Sequence, residues 1–169
     1  MKHLTWVTID KSTWGPGPWQ TEPDKEQWQD GKTGLPCLIK RSDFSGGLCG
    51  YVGVARGHPW YGVDHGDIRP EPLVHGGLTY SDLCEAGPPE QTICHVTEPG
   101  EPEPLWWLGF DCGHAFDISP GTEARELAMG FPPLRSDWLP APHYWTAGEV
   151  RRECATLAQA AAKARKRGA

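Results

Sequence analysis

A chain of 169 residues with 38% apolar and 22% charged residues can build one hydrophobic core and is short for more than one. From Thr146 onward six Lys or Arg face two Glu, so within a net charge of −6 the tail carries +4 and the remainder −10. That acidic body excludes broad binding of double-stranded nucleic acid, and no window approaches the roughly 18 apolar residues of a membrane span.

With 21 glycines and 17 prolines, many turns and long connections are expected. Residues 1–34 read as an irregular Trp/Pro-rich arm: "WGPGPW" is a turn or extended segment, and one short helical turn is expected around Lys25 to Trp28. Trp14, Trp19 and Trp28 would pin it to the body. Residues 35–169 read as an α+β domain. Its short β-like runs, "LPCLIKR", "LCGYVGVA", "VHGGLTYS", "TICHV" and "LWWLGFDC", predict a single, mostly antiparallel sheet of about five strands in a loop-rich setting. The acidic "EPGEPEP" is expected to be extended and exposed, and residues 119–144 to form a long connection with a helical turn near Glu123 to Ala128.

One helix is written clearly, over 147–167. Thr146 and Glu149 stand in capping-box spacing ahead of it. Val150, Cys154, Leu157, Ala158 and Ala161 then share one face, so this C-terminal amphipathic helix should pack on the sheet.

The N-terminus, "MKHLTWVTID", lacks a secretory-type apolar run, so a cytoplasmic setting is expected. There the six cysteines read better as buried apolar groups, metal ligands or reactive thiols than as disulfides. Most of the nine tryptophans read as core, with Trp60, Trp106 and Trp107 set aside as stacking surfaces.

Three segments carry candidate chemistry. In "VHGGLTYS", strand alternation would put His75 and Thr79 on one face and Tyr80 on the other, and two glycines invite close approach of a ligand. In "RGHPWYG", Arg56, His58 and Trp60 are the types that fork to phosphate and stack on a base. In "WWLGFDCGHAFD", Cys112 and His114 form a C-x-H pair, half of a zinc site that His95 or another ligand would complete. Without metal, His75 or His114 is the candidate general base or acid, oriented by Asp111 or Asp117. Arg56, His58, Trp60, Thr79, Tyr80 and Trp106 are the candidate ligand contacts.

Taken in order, "LPCLIKR", "CGYVGVARGHP", "VHGGLTYS", "ICHV" and "WWLGFDCGHAFD" resemble a widespread set of small hypothetical proteins of tailed bacteriophages and prophages, over about residues 20–160. The resemblance implies an accessory protein acting in the host cytoplasm, with a role against host defence. Three readings follow. The favoured one binds and sequesters, or cleaves, a nucleotide-derived small molecule. The others are a zinc-dependent hydrolase or zinc-stabilised module, and a host-protein interaction domain without a small ligand. A Pro- and Trp-rich arm could also reach a second copy of the chain.

Overall fold

The most apolar runs of the sequence lie at the centre of the sheet. In the computed structural model, which describes residues 1–100, 104–131 and 140–167, β3 (Pro36–Arg41), β4 (Leu48–Val54) and β6 (Trp106–Asp111) are flanked by β1 (Leu4–Trp6), β2 (Lys25–Gln29) and β5 (Tyr80–Leu83). The sheet order is β1-β2-β3-β4-β6-β5 and every neighbouring pair is antiparallel. Two helices follow, α1 (Pro120–Ala128) and α2 (Ala147–Arg167). None among the described residues is long and apolar enough to cross a membrane.

Alternation sorts the strands into two faces. Cys37, Ile39, Leu48, Val52, Leu108, Phe110 and Cys112 meet Val150, Cys154, Leu157, Ala158 and Ala161 of α2, and those five helix positions are fully buried. Gly50 makes the helix approach possible, because a Cβ there would collide with the Phe110 ring and come within 2.7 Å of Cys154 Sγ. Leu38, Tyr51 and Trp107 face the other way and are covered by Ile93 and Leu105.

Residues 1–34 correct the expectation of an irregular arm: β1 and β2 are integral strands, and the helical turn expected over Lys25 to Trp28 is the body of β2. Lys25, Glu26 and Gln27 are buried although all are polar. Each is satisfied from a distance: Lys25 Nζ donates to the Pro89, Thr92 and Cys94 carbonyls, Glu26 accepts from Arg151, and Gln27 pairs with Val96. A strand whose partners lie so far along the chain has no apolar period to betray it.

Two further expectations shift. Of the "VHGGLTYS" run only Tyr80 and Ser81 are in a strand, as the first half of β5, and the run opens on a turn closed by Gly77 N–H to Val74 O at 3.0 Å. "TICHV" is irregular and Cys94 is joined to Cys84 in a disulfide, against the expectation of free thiols. A connection without backbone pairing of its own is held instead by this bond and by Lys25. The expected helical turn at 123–128 is α1. Of the acidic loop, residues 101–103 lie outside the described residues, as do 132–139 of the long connection.

Candidate functional site

Where β6 ends, Cys112 N–H still reaches Leu48 O at 3.0 Å, and the chain then turns through Gly113 to Asp117. Phe116 holds φ at 72°, a left-handed conformation that costs a non-glycine residue about 1 to 3 kcal/mol. The turn closes by Asp117 N–H to His114 O at 3.0 Å, and brings the Asp117 carboxylate under His114, whose backbone N–H donates to Oδ2 at 2.9 Å. Strain at this turn therefore positions a carboxylate.

His75 arrives from the turn before β5. Its backbone N–H donates to Glu153 Oε2 of α2 at 2.9 Å, and its ring Nε2 lies 2.7 Å from Asp117 Oδ2. The two imidazoles meet edge to face with centroids 5.0 Å apart. Gly76, at φ 65°, is required here, since any Cβ would run into the His114 ring. From the residue before the α2 cap, Trp145 donates its indole N–H to Asp117 Oδ1 at 3.0 Å and lays its ring against His75 at 4.1 Å.

Asp117 is 6% exposed in its side chain, and both oxygens accept from groups that can only donate. His114 Nδ1 contrasts with it. That atom is shut off from solvent with no hydrogen-bond partner, although Asp117 Oδ2 lies 3.5 Å away and Asp111 Oδ1 3.8 Å away. One ring nitrogen each of His75 and His114 and a carboxylate oxygen of Asp117 all lie within 4.8 Å of one another. Around them stand Asp111, Glu153 and the His143–Glu149 pair, the last at 3.1 Å. Such a field favours a cation.

The candidate residues separate into groups. His75, His114 and Asp117 converge. Asp111 is at the rim, accepting from Gly113 N–H at 2.9 Å, so the contact with His75 belongs to Asp117. The zinc set of Cys112, His114 and His95 is corrected: Cys112 is 2% exposed in the core beneath α2, where burial pushes its thiol pKa up. His95 packs on Trp107 across the sheet from it. The alternation that pairs Cys112 with His114 also pairs it with Phe110, and that face is core.

Nor do the ligand candidates form one set. His58 bonds Ala161 O of α2 at 3.0 Å, and burial lowers its pKa. Along α2, Ala161 lies eight residues, or about 12 Å, beyond Glu153, the residue that His75 N–H contacts. Arg56 lies over Tyr61, Trp106 donates to Val63 O, Trp60 is buried at 7% exposure, and Trp107 proves to be core as well. Thr79 is exposed and pairs its N–H with Gly109 O. Tyr80 stands on the opposite face against Tyr51, its pKa pushed up to about 12 by burial and by Glu85 and Asp82. A cavity of about 650 Å³ opens between the 59–73 loop and the outer flank of α2, lined by Trp60, Ile68, Arg69, Leu73, Thr156 and Lys163. Its Thr156 wall is one helical turn from Glu153.

Sequence reasoning missed Trp145, His143 and Glu153. The only available signal was Glu149 and Glu153 at i, i+4 spacing, which places both carboxylates on one flank of the helix. Comparison with protein-family models, curated proteins and solved structures finds no match for this chain.

Proposed function

We propose that His75, His114 and Asp117 hold a divalent metal ion, and that the protein uses this centre to hydrolyse a small phosphate-bearing, nucleotide-derived ligand. The observation that carries the reading is the buried, unpartnered Nδ1 of His114 aimed at a carboxylate that His75 also faces. Two nitrogens and one oxygen suit zinc, whose ligand atoms stand ~3.4 Å apart in a tetrahedral shell. The separations from Asp117 Oδ2 of 2.7 and 3.5 Å bracket that spacing. Trp145 and the His114 backbone N–H would fix the carboxylate as outer partners do around metals. Bound there, zinc supplies a hydroxide near neutral pH by acidifying its water.

A second reading, sequestration without turnover, is supported by the cavity beside the 59–73 loop, whose volume suits a small ligand and whose walls offer an indole, an arginine and a lysine. A counter-defence role in an infected bacterium fits the motif resemblance and is part of the proposal.

Calorimetric titration of zinc into untagged protein, with the disulfide intact, tests the centre. One equivalent should bind, and Asp117→Asn should weaken it by about 100-fold, since it replaces a charged ligand. Equal uptake by the variant would overturn the metal reading. Incubation with cyclic dinucleotides and ADP-ribose derivatives, followed by heat release and chromatography, tests the ligand. A metal-dependent product supports hydrolysis and intact released ligand supports sequestration. Undepleted, unchanged ligand would overturn both.

A further inference from the structure

The geometry points to a second, thiolate-based site: we infer that Cys84, Cys94 and His95 exchange their disulfide for a bound zinc-type ion when the protein is reduced. This stands apart from the His75 centre, on the other face of the sheet. Both sulfurs and a ring nitrogen of His95 lie within 4.8 Å of one another. Two cysteines and a histidine are a donor set for zinc, with one position left for water.

What makes the exchange workable is that each cysteine has ties of its own besides the S–S bond. Cys84 directly follows β5, whose last pair is Leu83 with Trp106. Cys94 is fixed by its own carbonyl, which accepts from the buried Lys25 Nζ at 2.6 Å, and Thr92 O accepts from the same ammonium at 2.7 Å. Past His95, Val96 exchanges two bonds with the Gln27 side chain, at 2.8 and 3.2 Å. The His95 ring is set edge-on to Trp107 at 5.6 Å. Opening the disulfide therefore leaves Cys84 held by the β5 pairing before it, and Cys94 and His95 held by the Lys25 and Gln27 side chains, which is the preorganisation a metal site needs.

The chemistry balances in two steps. A dithiol or phosphine reductant supplies two electrons and is itself oxidised, the S–S bond breaks, and two protons give two thiols. The ion then displaces both thiol protons into solvent and takes the imidazole as third ligand. Both states tie residue 84 to residue 94, so the segment carrying Ile93 over Leu38, Tyr51 and Trp107 stays fastened in oxidising and reducing surroundings alike.

Cobalt(II) tests this, because thiolate ligands give a charge-transfer absorption that imidazole and carboxylate ligands do not. Wild-type protein reduced with a phosphine and then freed of it should take up cobalt with that absorption. Oxidised wild type should lack it, and so should the reduced Cys84→Ser/Cys94→Ser protein. His114→Asn should keep it, which separates this site from the His75 centre. Zinc should raise the Tm of the reduced protein through this site, and in a His114→Asn background it should leave the oxidised Tm unchanged. Absence of the thiolate absorption in reduced wild type would overturn the inference. So would its persistence in the double serine variant, and if that variant does not fold, its appearance in oxidised wild type has the same force.

Discussion

Two polar clusters flank the start of α2, and consecutive residues point into them. Tyr144 enters the first, where Arg41 is fully buried and every donor is used: Nε to Asp24 at 3.0 Å, Nη1 to Gly46 O and Tyr144 Oη, Nη2 to Glu22 and Pro23 O. Glu22 in turn caps the helix by accepting from Ala147 N–H at 2.8 Å. Trp145 enters the second, where Asp117 is saturated but His114 Nδ1 is not. A network that closes on itself ties segments together, whereas the one left open by one atom is the one that the proposed metal would complete.

Arg41→Met should break the first cluster most severely. It removes the cation that Asp24, Glu22 and the Tyr144 hydroxyl share, and taking one side out of a buried charge network costs about 3 to 5 kcal/mol. Burial alone would raise the Asp24 pKa, yet the Lys11 ammonium and the Thr8 and Ile9 N–H groups hold it below its ordinary value. Urea denaturation should show the loss, while zinc uptake by the folded fraction stays at the wild-type level. A variant of near-native stability would remove the distinction between the clusters.

Next comes Lys25→Met, which leaves three carbonyls without their donor and should cost about 3 kcal/mol. Burial, followed by repulsion from Lys40, lowers the Lys25 pKa from 10.5 to about 8. Between those values the unfolded chain binds the extra proton, so this residue should make stability rise with pH across that window, by up to about 3 kcal/mol. The rise should vanish in Lys25→Met. A wild-type protein without it would mean that the three carbonyls hold the ammonium charged.

Those two residues also mark the limit of what the sequence reveals. Apolar alternation was legible in β3, β4 and β6, and the stripe from Val150 to Ala161 placed α2 on the correct face. "KEQWQ" was not legible as a strand, because its stabilising partners lie up to 125 residues away. The candidate site was half legible. The C-x-H pair drew attention to the right turn, and two glycines after His75 marked a close approach, which proves to be the His114 ring. Cys112 misled because ligand types were weighed before the face they occupy. Trp145 carried no signal, since it stands 28 residues from Asp117 in the chain and no local pattern joins the two.

A smaller effect should come from Thr146→Ala, which removes the side chain of the α2 capping box. Thr146 N–H and Oγ1 donate to Glu149 Oε2 at 2.9 and 2.7 Å, and the loss should be about 1 kcal/mol in thermal or urea melts. Burial works to raise the Glu149 pKa, but these bonds and His143 outweigh it and keep the value lowered. Its contribution is thus present above the ordinary carboxyl range and is lost as pH falls through the folded value. Below that value the gap between wild type and Thr146→Ala should narrow to what the Glu149 N–H to Thr146 Oγ1 bond contributes.

His114→Asn should change stability least, by about 0.5 kcal/mol, because a third of the ring is exposed and its buried nitrogen makes no hydrogen bond to lose. Its backbone N–H still reaches Asp117, so the strained turn at Phe116 survives the change. Metal affinity should nonetheless fall by about 100-fold, since the substitution removes a ligand and leaves its neighbours in place. Calorimetry and urea melts on the same sample read both quantities. A loss of stability on the scale of Arg41→Met, with zinc binding intact, would show that His114 is a structural member of its cluster, and the openness at Nδ1 would then have no functional meaning.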